Sequence, residues 1–374
     1  MTQPSILVMA GGTGGHIFPG LAVAEYMRAR GWQVSWLGNQ NGMEYRLVKA
    51  AKIPFESVDF GGLRGKGLKA KLMLPINLVR ASLQSIKIMR RLKPNVVLGM
   101  GGYITFPGGL VSVLLGRALV LHESNSVPGS ANRALAKIAT KTLTGFPNTM
   151  LDAEWVGNPI RQEFDQLAAP AERYSKRQGS LTILVVGGSL GAAALNQVVP
   201  AALALIPLAS RPKVIHQAGE KHLKDLEQLY ISLGVEADIR SFIDDMPTAY
   251  ADADLVICRS GAMTISELAA AGVASCLVPF PFAIDDHQTA NARFLANAKA
   301  AILLPQTQLN ADDLAQMIQN FSREALLKMA EHAKQLAKPQ ATAHVAQACA
   351  EAAGVSLRSI SFSKFTLLVL VVLG

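Results

Sequence analysis

Residues 6–16, ILVMAGGTGGH, decide the fold once they are set beside residues 183–192, ILVVGGSLGA. Each is a short apolar run that ends in a glycine cluster and opens a helical stretch, from Gly20 in one case and Leu195 in the other. That is the first β-turn-α unit of a Rossmann-like sheet, and two such openings a domain apart imply two Rossmann-like halves in tandem. Apolar runs at Val34–Leu37, Val96–Gly99, Ala118–Leu121 and Thr142–Leu143 supply further strands to the first half. Val214–His216, Leu255–Cys258, Ala274–Val278 and Ala301–Leu304 do so in the second, with helical patterns such as Ala81–Leu92 and Thr264–Ala271 between strands. Near-continuous apolar strands alternating with helices predict an α/β protein of parallel sheets covered on both faces. Ligands of such sheets bind off the carboxyl ends of the strands, which here means a cleft between the two halves.

The composition agrees. A chain of 374 residues, 50% apolar and 17% charged, exceeds one ordinary core and is not a disordered polymer. Three cysteines, Cys258, Cys276 and Cys349, form no CxxC pair, which reads as a reduced protein without a disulfide frame or zinc site. The start, MTQPSILVMA, enters a strand with no basic n-region, so no secretory signal is expected. The apolar stretch Phe365–Leu373 is shorter than the roughly 20 residues a membrane span requires.

The net charge of +9 is concentrated. Phe60 to His122 contains no Asp or Glu but ten Lys and Arg: Arg64, Lys66, Lys69, Lys71, Arg80, Lys87, Arg90, Arg91, Lys93 and Arg117. The interleaved run Leu68–Val79, LKAKLMLPINLV, is aliphatic without an aromatic residue. Nucleic-acid surfaces mix basic groups with aromatic ones. A basic and aliphatic stretch instead suits an anionic membrane surface, worth about 1 kcal/mol per cation. The alternative is a helix with its apolar side inward and its charges solvated.

Three glycine-rich turns follow strands, at Gly11–His16, Gly99–Tyr103 and Gly187–Ala192. Glycine lets backbone approach a ligand, and free amides at the next helix start attract anions, so phosphate binding is expected. A dinucleotide fingerprint needs a third glycine where Ile17 stands and an acidic residue after the second strand, where Asn39 stands. A P-loop needs GK[ST], and Gly65-Lys66-Gly67 fails at the last position.

The segments GGTGGHIFPGLAVA (11–24), GMGGYITFPG (99–108), HESNSVPG (122–129), GNPIR (157–161), GGSLGA (187–192), FIDDM (242–246), CRSGAMTISELAAAG (258–272) and DDHQTANA (285–292) resemble, in order and spacing, the MurG family of N-acetylglucosaminyltransferases. The resemblance implies the GT-B fold, with 1–160 as an acceptor and membrane-facing domain and 161–338 as a UDP-GlcNAc-binding domain. Residues 339–354 would form a terminal helix crossing back to the first domain, and 355–374 an apolar tail outside the family pattern. It implies inverting transfer of GlcNAc from UDP-GlcNAc to the C4 hydroxyl of the muramoyl sugar of lipid I, giving lipid II. Implied partners are UDP-GlcNAc, lipid I, the anionic membrane surface and proteins of cell-wall synthesis or division, not nucleic acid. The implied location is peripheral, at the cytoplasmic face of the bacterial inner membrane.

Carried over residue by residue, the resemblance assigns Ser189 and its turn to the UDP phosphates and the Ile243 backbone to uracil. Arg161 would lie near the nucleotide, Ala262, Met263 and Thr264 would open a helix towards the donor, and Glu267 would accept from the ribose hydroxyls. Gln288, beside Asp286 and His287, would read the GlcNAc hydroxyls, while Thr13, Gly14, Gly15 and Asn125 would reach across to the transferred sugar. Gly14, Gly15, Gly101, Gly102 and Tyr103 would take the acceptor diphosphate. Bland roles compete: a helix-dipole contact for Glu267, a solvated polar group for Gln288, a domain-junction ion pair for Arg161. No metal or cofactor is expected, and Asp252-Ala253-Asp254 reads as a helix-to-strand turn rather than a metal-binding DxD.

His16 ends the first glycine turn and is the leading candidate for the base, because imidazole titrates near neutrality. Its alternatives are a hydrogen-bond donor to the acceptor or a turn-stabilising side chain. Tyr103, His122 and Glu123 are weaker acid-base candidates. At Ser124, in His122-Glu123-Ser124-Asn125, the family commonly has glutamine, so any contact made through that amide is missing here. Rival functions are another UDP-sugar enzyme, such as a UDP-GlcNAc 2-epimerase or a transferase with another lipid acceptor, or a non-catalytic nucleotide-sugar-binding regulator. An epimerase needs no membrane surface, and a regulator needs no His16.

Overall fold

The computed structural model describes residues 3–61, 72–188 and 191–357. The first sheet contains β1 (Ser5–Met9), β2 (Gln33–Gly38), β3 (Phe55–Ser57), β4 (Val96–Gly99), β5 (Ala118–Glu123), β6 (Lys141–Thr144) and β7 (Glu154–Trp155). The second contains β8 (Thr182–Val186), β9 (Lys213–Gln217), β10 (Asp238–Arg240), β11 (Leu255–Cys258), β12 (Ala274–Leu277) and β13 (Ala301–Leu303). Their orders are β3-β2-β1-β4-β5-β6-β7 and β10-β9-β8-β11-β12-β13, with every pairing parallel. The predicted doubling of a Rossmann-like unit is therefore present, and the central strands of each unit were all legible as apolar runs.

Both faces of each sheet are covered. Alternate residues of β1 divide between two cores: Ile6 and Val8 lie with Val23, Met27 and Trp36, and Leu7 and Met9 with Ile88, Met89 and Val111. The second sheet divides likewise, Leu184 and Val186 on one side, Ile183 and Val185 on the other. Ala341–Ala352, a helix encoded after the last strand of the second sheet, buries Val345, Ala346 and Cys349 in the core of the first. Its small residues let it approach the sheet closely.

Topology puts the site where it is. In the first sheet β1 lies between β2 and β4, with Met9 opposite Gly99, so the turns that leave β1 and β4 emerge side by side. In the second, β8 lies beside β11 with Val186 opposite Cys258, so the Gly187 turn and the Arg259–Gly261 segment are neighbours. These are the two switch points at which strand order reverses and a crevice opens.

The acidic pair Asp252 and Asp254 spans the end of the Met246–Asp252 helix and the start of β11. Asp254 is 1% exposed and accepts from Arg177 Nη1 at 2.9 Å, Arg323 Nη2 at 3.2 Å and the Thr182 amide at 2.8 Å. Its carboxylate is thus committed to the structure, tying the chain before β8 and the Arg323–Gln335 helix to the sheet.

Candidate active site

The first glycine turn ends at Thr13, the N-cap of the Gly14–Ala29 helix. Its carbonyl accepts from the His16 and Ile17 amides, while its side chain makes no capping bond. Gly14 and Gly15 are the first two helical residues, whose amides have no intrahelical partner. The second turn backs against the first: a Cβ on Gly102 would stand 2.2 Å from the Gly11 carbonyl oxygen, so only glycine fits. Gly101, at φ +106°, lies against His16, and a Cβ there would stand 2.7 Å from Nδ1.

His16 Nδ1 lies 3.1 Å from the Met100 carbonyl oxygen. A carbonyl only accepts, so Nδ1 carries the proton and Nε2 keeps the lone pair, the tautomer a base requires. Burial holds the imidazole below its ordinary pKa of 6.5, with His287 across the cleft acting in the same direction and Glu123 and the Met100 carbonyl against it. His16 is therefore neutral at physiological pH.

Glu123 and His122, the weaker candidates, are engaged otherwise. Glu123 is buried and accepts from the amides of Asn125 at 2.9 Å and Gly129 at 3.0 Å and from Asn132 Nδ2 at 2.9 Å. It shapes the loop that carries Asn125. His122 is buried with Nε2 2.9 Å from the Gly157 carbonyl oxygen, and burial lowers its pKa. Tyr103 is half-buried beside Phe60, its phenol pKa raised by burial and by Glu44.

On the opposite side, Ser189 lies outside the described residues. The flanking turn closes by a Gly191 amide to Gly188 carbonyl bond of 3.0 Å, with Gly188 and Gly191 both at positive φ. Ala262, Met263 and Thr264 are the first three residues of the Ala262–Ala271 helix, capped by Gly261 without a side-chain bond. Their amides face no helical partner. Glu267 is sixth in that helix, past the first turn, so the helix-dipole role does not fit it. It lies with Tyr250 and Arg161, and burial pushes its carboxyl up to about 7, against the opposing pull of Arg161 and a Tyr250 hydrogen bond. Arg161 is exposed, donates to the Asp244 carbonyl at 3.1 Å and forms no ion pair among the described residues. Ile243 is buried and its amide donates to Gln217 Oε1 at 3.2 Å, so a base reaching that amide has to displace Gln217. Gln288 is half-buried rather than solvated, its Oε1 accepting from the Phe280 amide at 2.9 Å.

The two halves meet through polar side chains that the sequence reading did not single out. Asn291, fully buried, accepts from the Ser126 amide at 2.9 Å and the Ser126 hydroxyl at 2.7 Å, and donates to Asn125 Oδ1 at 3.3 Å. Asn158 donates to the Ser124 carbonyl and to Ser266 Oγ, both at 3.0 Å. Asn291 stands three residues after Gln288, on the same helix face, which is the signal that could have found it. Gln217 and Glu44 carry no comparable signal: one is a strand-end polar residue, the other a helix-start acid.

Comparison with known proteins gives the family. Residues 6–144 match the glycosyltransferase family 28 N-terminal domain, and 182–347 its C-terminal domain. A UDP-N-acetylglucosamine--N-acetylmuramyl-(pentapeptide) pyrophosphoryl-undecaprenol N-acetylglucosamine transferase of Polynucleobacter asymbioticus is 76% identical over 357 residues, covering 96% of this chain and 100% of that one. The chain belongs to the MurG family. A protein of the same description from Paraburkholderia phytofirmans is 58% identical, covering 95% and 96% of the two chains. The crystal structure of Acinetobacter baumannii MurG superposes with a TM-score of 0.83 at 39% identity, covering 93% of this chain and 99% of that one. Anabaena HepE in complex with UDP, at 16% identity and TM-score 0.61, shares the fold. Like other MurG-family members this chain is thus a glycosyltransferase of two Rossmann-like domains, as the sequence motifs implied.

Proposed function

We propose that the chain transfers GlcNAc from UDP-GlcNAc to the C4 hydroxyl of the muramoyl sugar of lipid I, forming lipid II with inversion. The observation that carries the mechanism is the contact of His16 Nδ1, in the first turn of the Gly14–Ala29 helix, with the Met100 carbonyl, in a ring that also feels His287 at the start of the His287–Ala296 helix of the second half. The acceptor oxygen attacks the donor's anomeric carbon from the face opposite UDP. Its proton passes to His16 Nε2 as the new C–O bond forms. The bond from the anomeric carbon to the diphosphate oxygen breaks, and UDP leaves with the electron pair. Amides of the third glycine turn and of Ala262–Thr264 receive that charge without a metal, since preformed donors at a helix start stabilise a developing anion. Glu267 holds the ribose, Ile243 the base, Gln288 and Asn125 the sugar, and Asn291 orients Asn125.

The acceptor is lipid-linked, and the first domain supplies a membrane face. In the Leu74–Leu92 helix and the residues just before it, Leu72, Met73, Ile76, Val79 and Leu83 are exposed, and Arg80, Lys87, Arg90 and Arg91 are exposed beside them. The bland reading, apolar side inward, fails for these residues. Arg64, Lys66, Lys69 and Lys71 lie outside the described residues. No helix among the described residues is long and apolar enough to cross a membrane. That surface supports peripheral attachment by basic and aliphatic groups together, which we place at the cytoplasmic face of the inner membrane as part of the same proposal.

The test is incubation of the purified chain with UDP-GlcNAc alone and with a lipid I analogue, with NMR of the product linkage. A β-linked disaccharide lipid formed only with the acceptor supports the reading. UDP-ManNAc formed without acceptor would turn it to the epimerase.

A further inference from the structure

Glu44 is the second residue of the Met43–Ala50 helix and is fully buried. Its Oε1 accepts from the Asn39 amide at 3.0 Å and its Oε2 from the Gly12 amide at 3.4 Å. Among the described residues it joins no ion pair. Glycines surround it: a Cβ on Gly11 would stand 2.7 Å from Oε1, on Gly42 2.2 Å from Oε2, and on Gly38 2.8 Å from Cγ. A buried carboxylate without a cation is unfavourable unless backbone donors and a helix N-terminus compensate it, as they do here. Such a group is an odd tenant behind a turn expected to bind a diphosphate.

Its effect on the turn resolves the oddity. The Gly12 amide is drawn inward, away from any ligand, and Gly12 adopts φ +93° with Tyr103 Cε1 3.5 Å from where its Cβ would be. The free donors of the first turn then become the helix-start amides of Gly14 and Gly15. We propose that Glu44 is a positioning residue for the acceptor: it clamps the Gly11–Gly12 backbone from behind so that the Gly14 and Gly15 amides and the Tyr103 hydroxyl present one donor face. Two oxygens that only accept are needed for two inward amides, so a carboxylate serves and a carboxamide, with one donor end, does not. Tyr103 fits this arrangement, because burial and, to a lesser degree, Glu44 raise its phenol pKa from an already high ordinary value, so its hydroxyl is a donor.

The inference rests on the transferase reading above, and its test separates the two. Glu44→Gln, with the shape retained and one acceptor replaced by a donor, is expected to raise KM for a lipid I analogue about tenfold. The dissociation constant for UDP-GlcNAc should stay within about twofold, and Glu44→Asp should fall between wild type and Glu44→Gln. An unchanged acceptor KM in folded Glu44→Gln, or equal losses of donor and acceptor binding, would overturn it. If neither variant folds, hydrogen exchange of the assigned Gly12, Gly14 and Gly15 amides in wild type decides. A Gly12 amide protected relative to those of Gly14 and Gly15 is expected, and a Gly12 amide that exchanges as fast as they do overturns the clamp. A wild type that transfers nothing sinks the transferase reading, while the exchange of the Gly12 amide still reports on Glu44.

Discussion

Donor binding should depend on pH through Glu267. Its carboxyl titrates at about 7 because burial disfavours the charge, yet two ribose hydroxyls are best held by the ionised form, which only accepts. UDP-GlcNAc itself has no ionisation near neutrality, since its diphosphate is a diester. If only the carboxylate binds well, the apparent dissociation constant scales as one plus ten to the power of the pKa minus the pH. That factor is about 1.1 at pH 8 and about 11 at pH 6, a tenfold weakening or about 1.4 kcal/mol. Calorimetry across pH 6 to 8 measures it directly, and at pH 6 binding should release close to one proton into the buffer. Glu267→Gln should bind weakly and without pH dependence. A flat wild-type affinity over that range, or the same slope in Glu267→Gln, would refute the reasoning. The stability linkage has a definite sign. The folded pKa is raised from the ordinary 4.5 to about 7, so the contribution is fully present below 4.5 and is lost as pH rises through 7. The loss is on the order of 3 kcal/mol, and donor binding offsets it at high pH.

Asp254→Ala should cost about 3 kcal/mol, the low end for breaking a buried pair, because Arg177 and Arg323 are partly open to solvent. At about 2–4 °C per kcal/mol for a chain of this size, the thermal midpoint should fall by about 6–12 °C, read by calorimetry. Gly101→Ala introduces a Cβ 2.7 Å from His16 Nδ1 at a backbone φ of +106°. It should lower kcat about tenfold or more while UDP-GlcNAc affinity, measured by calorimetry, is retained. Ile76→Glu with Val79→Glu should weaken co-sedimentation with anionic vesicles and leave transfer to a short-chain, detergent-soluble acceptor near wild type.

The fold was legible because its deciding elements are buried on both faces and therefore apolar. β4 and β11 were read with the bounds they have, Val96–Gly99 and Leu255–Cys258. The strands missed are the two- and three-residue edges β3, β7 and β10, where half-exposed residues such as Glu154, Asp238 and Arg240 leave no apolar run. The Leu74–Leu92 helix begins seven residues before the predicted Ala81 because its exposed side is aliphatic too, which erases the helical contrast. The glycine turns and helix starts proposed to face ligands were legible as well, since they are local features. What sequence could not supply were the long-range polar contacts. Asn291 meets Ser126 from 165 residues away, and Glu44 reaches the turn at Gly12 from the Met43–Ala50 helix, 32 residues on. The helix face that Asn291 shares with Gln288 was open to reading, but the partner of neither residue was, because a single hydrogen bond constrains two residues and leaves their neighbours free.

The central claim is that His16, held as the Nδ1–H tautomer, takes the acceptor proton in a metal-free transfer. The direct measurement is the pH profile of kcat for transfer of labelled GlcNAc from UDP-GlcNAc to a lipid I analogue in EDTA, for wild type and His16→Ala. Wild type should be active, with kcat falling only as pH drops below the ordinary 6.5 through the lowered pKa of His16. His16→Ala should lose about a hundredfold or more and that acidic limb with it, while still binding the donor. A mutant that keeps wild-type kcat, or one that keeps the same acidic limb, would contradict the assignment of the base.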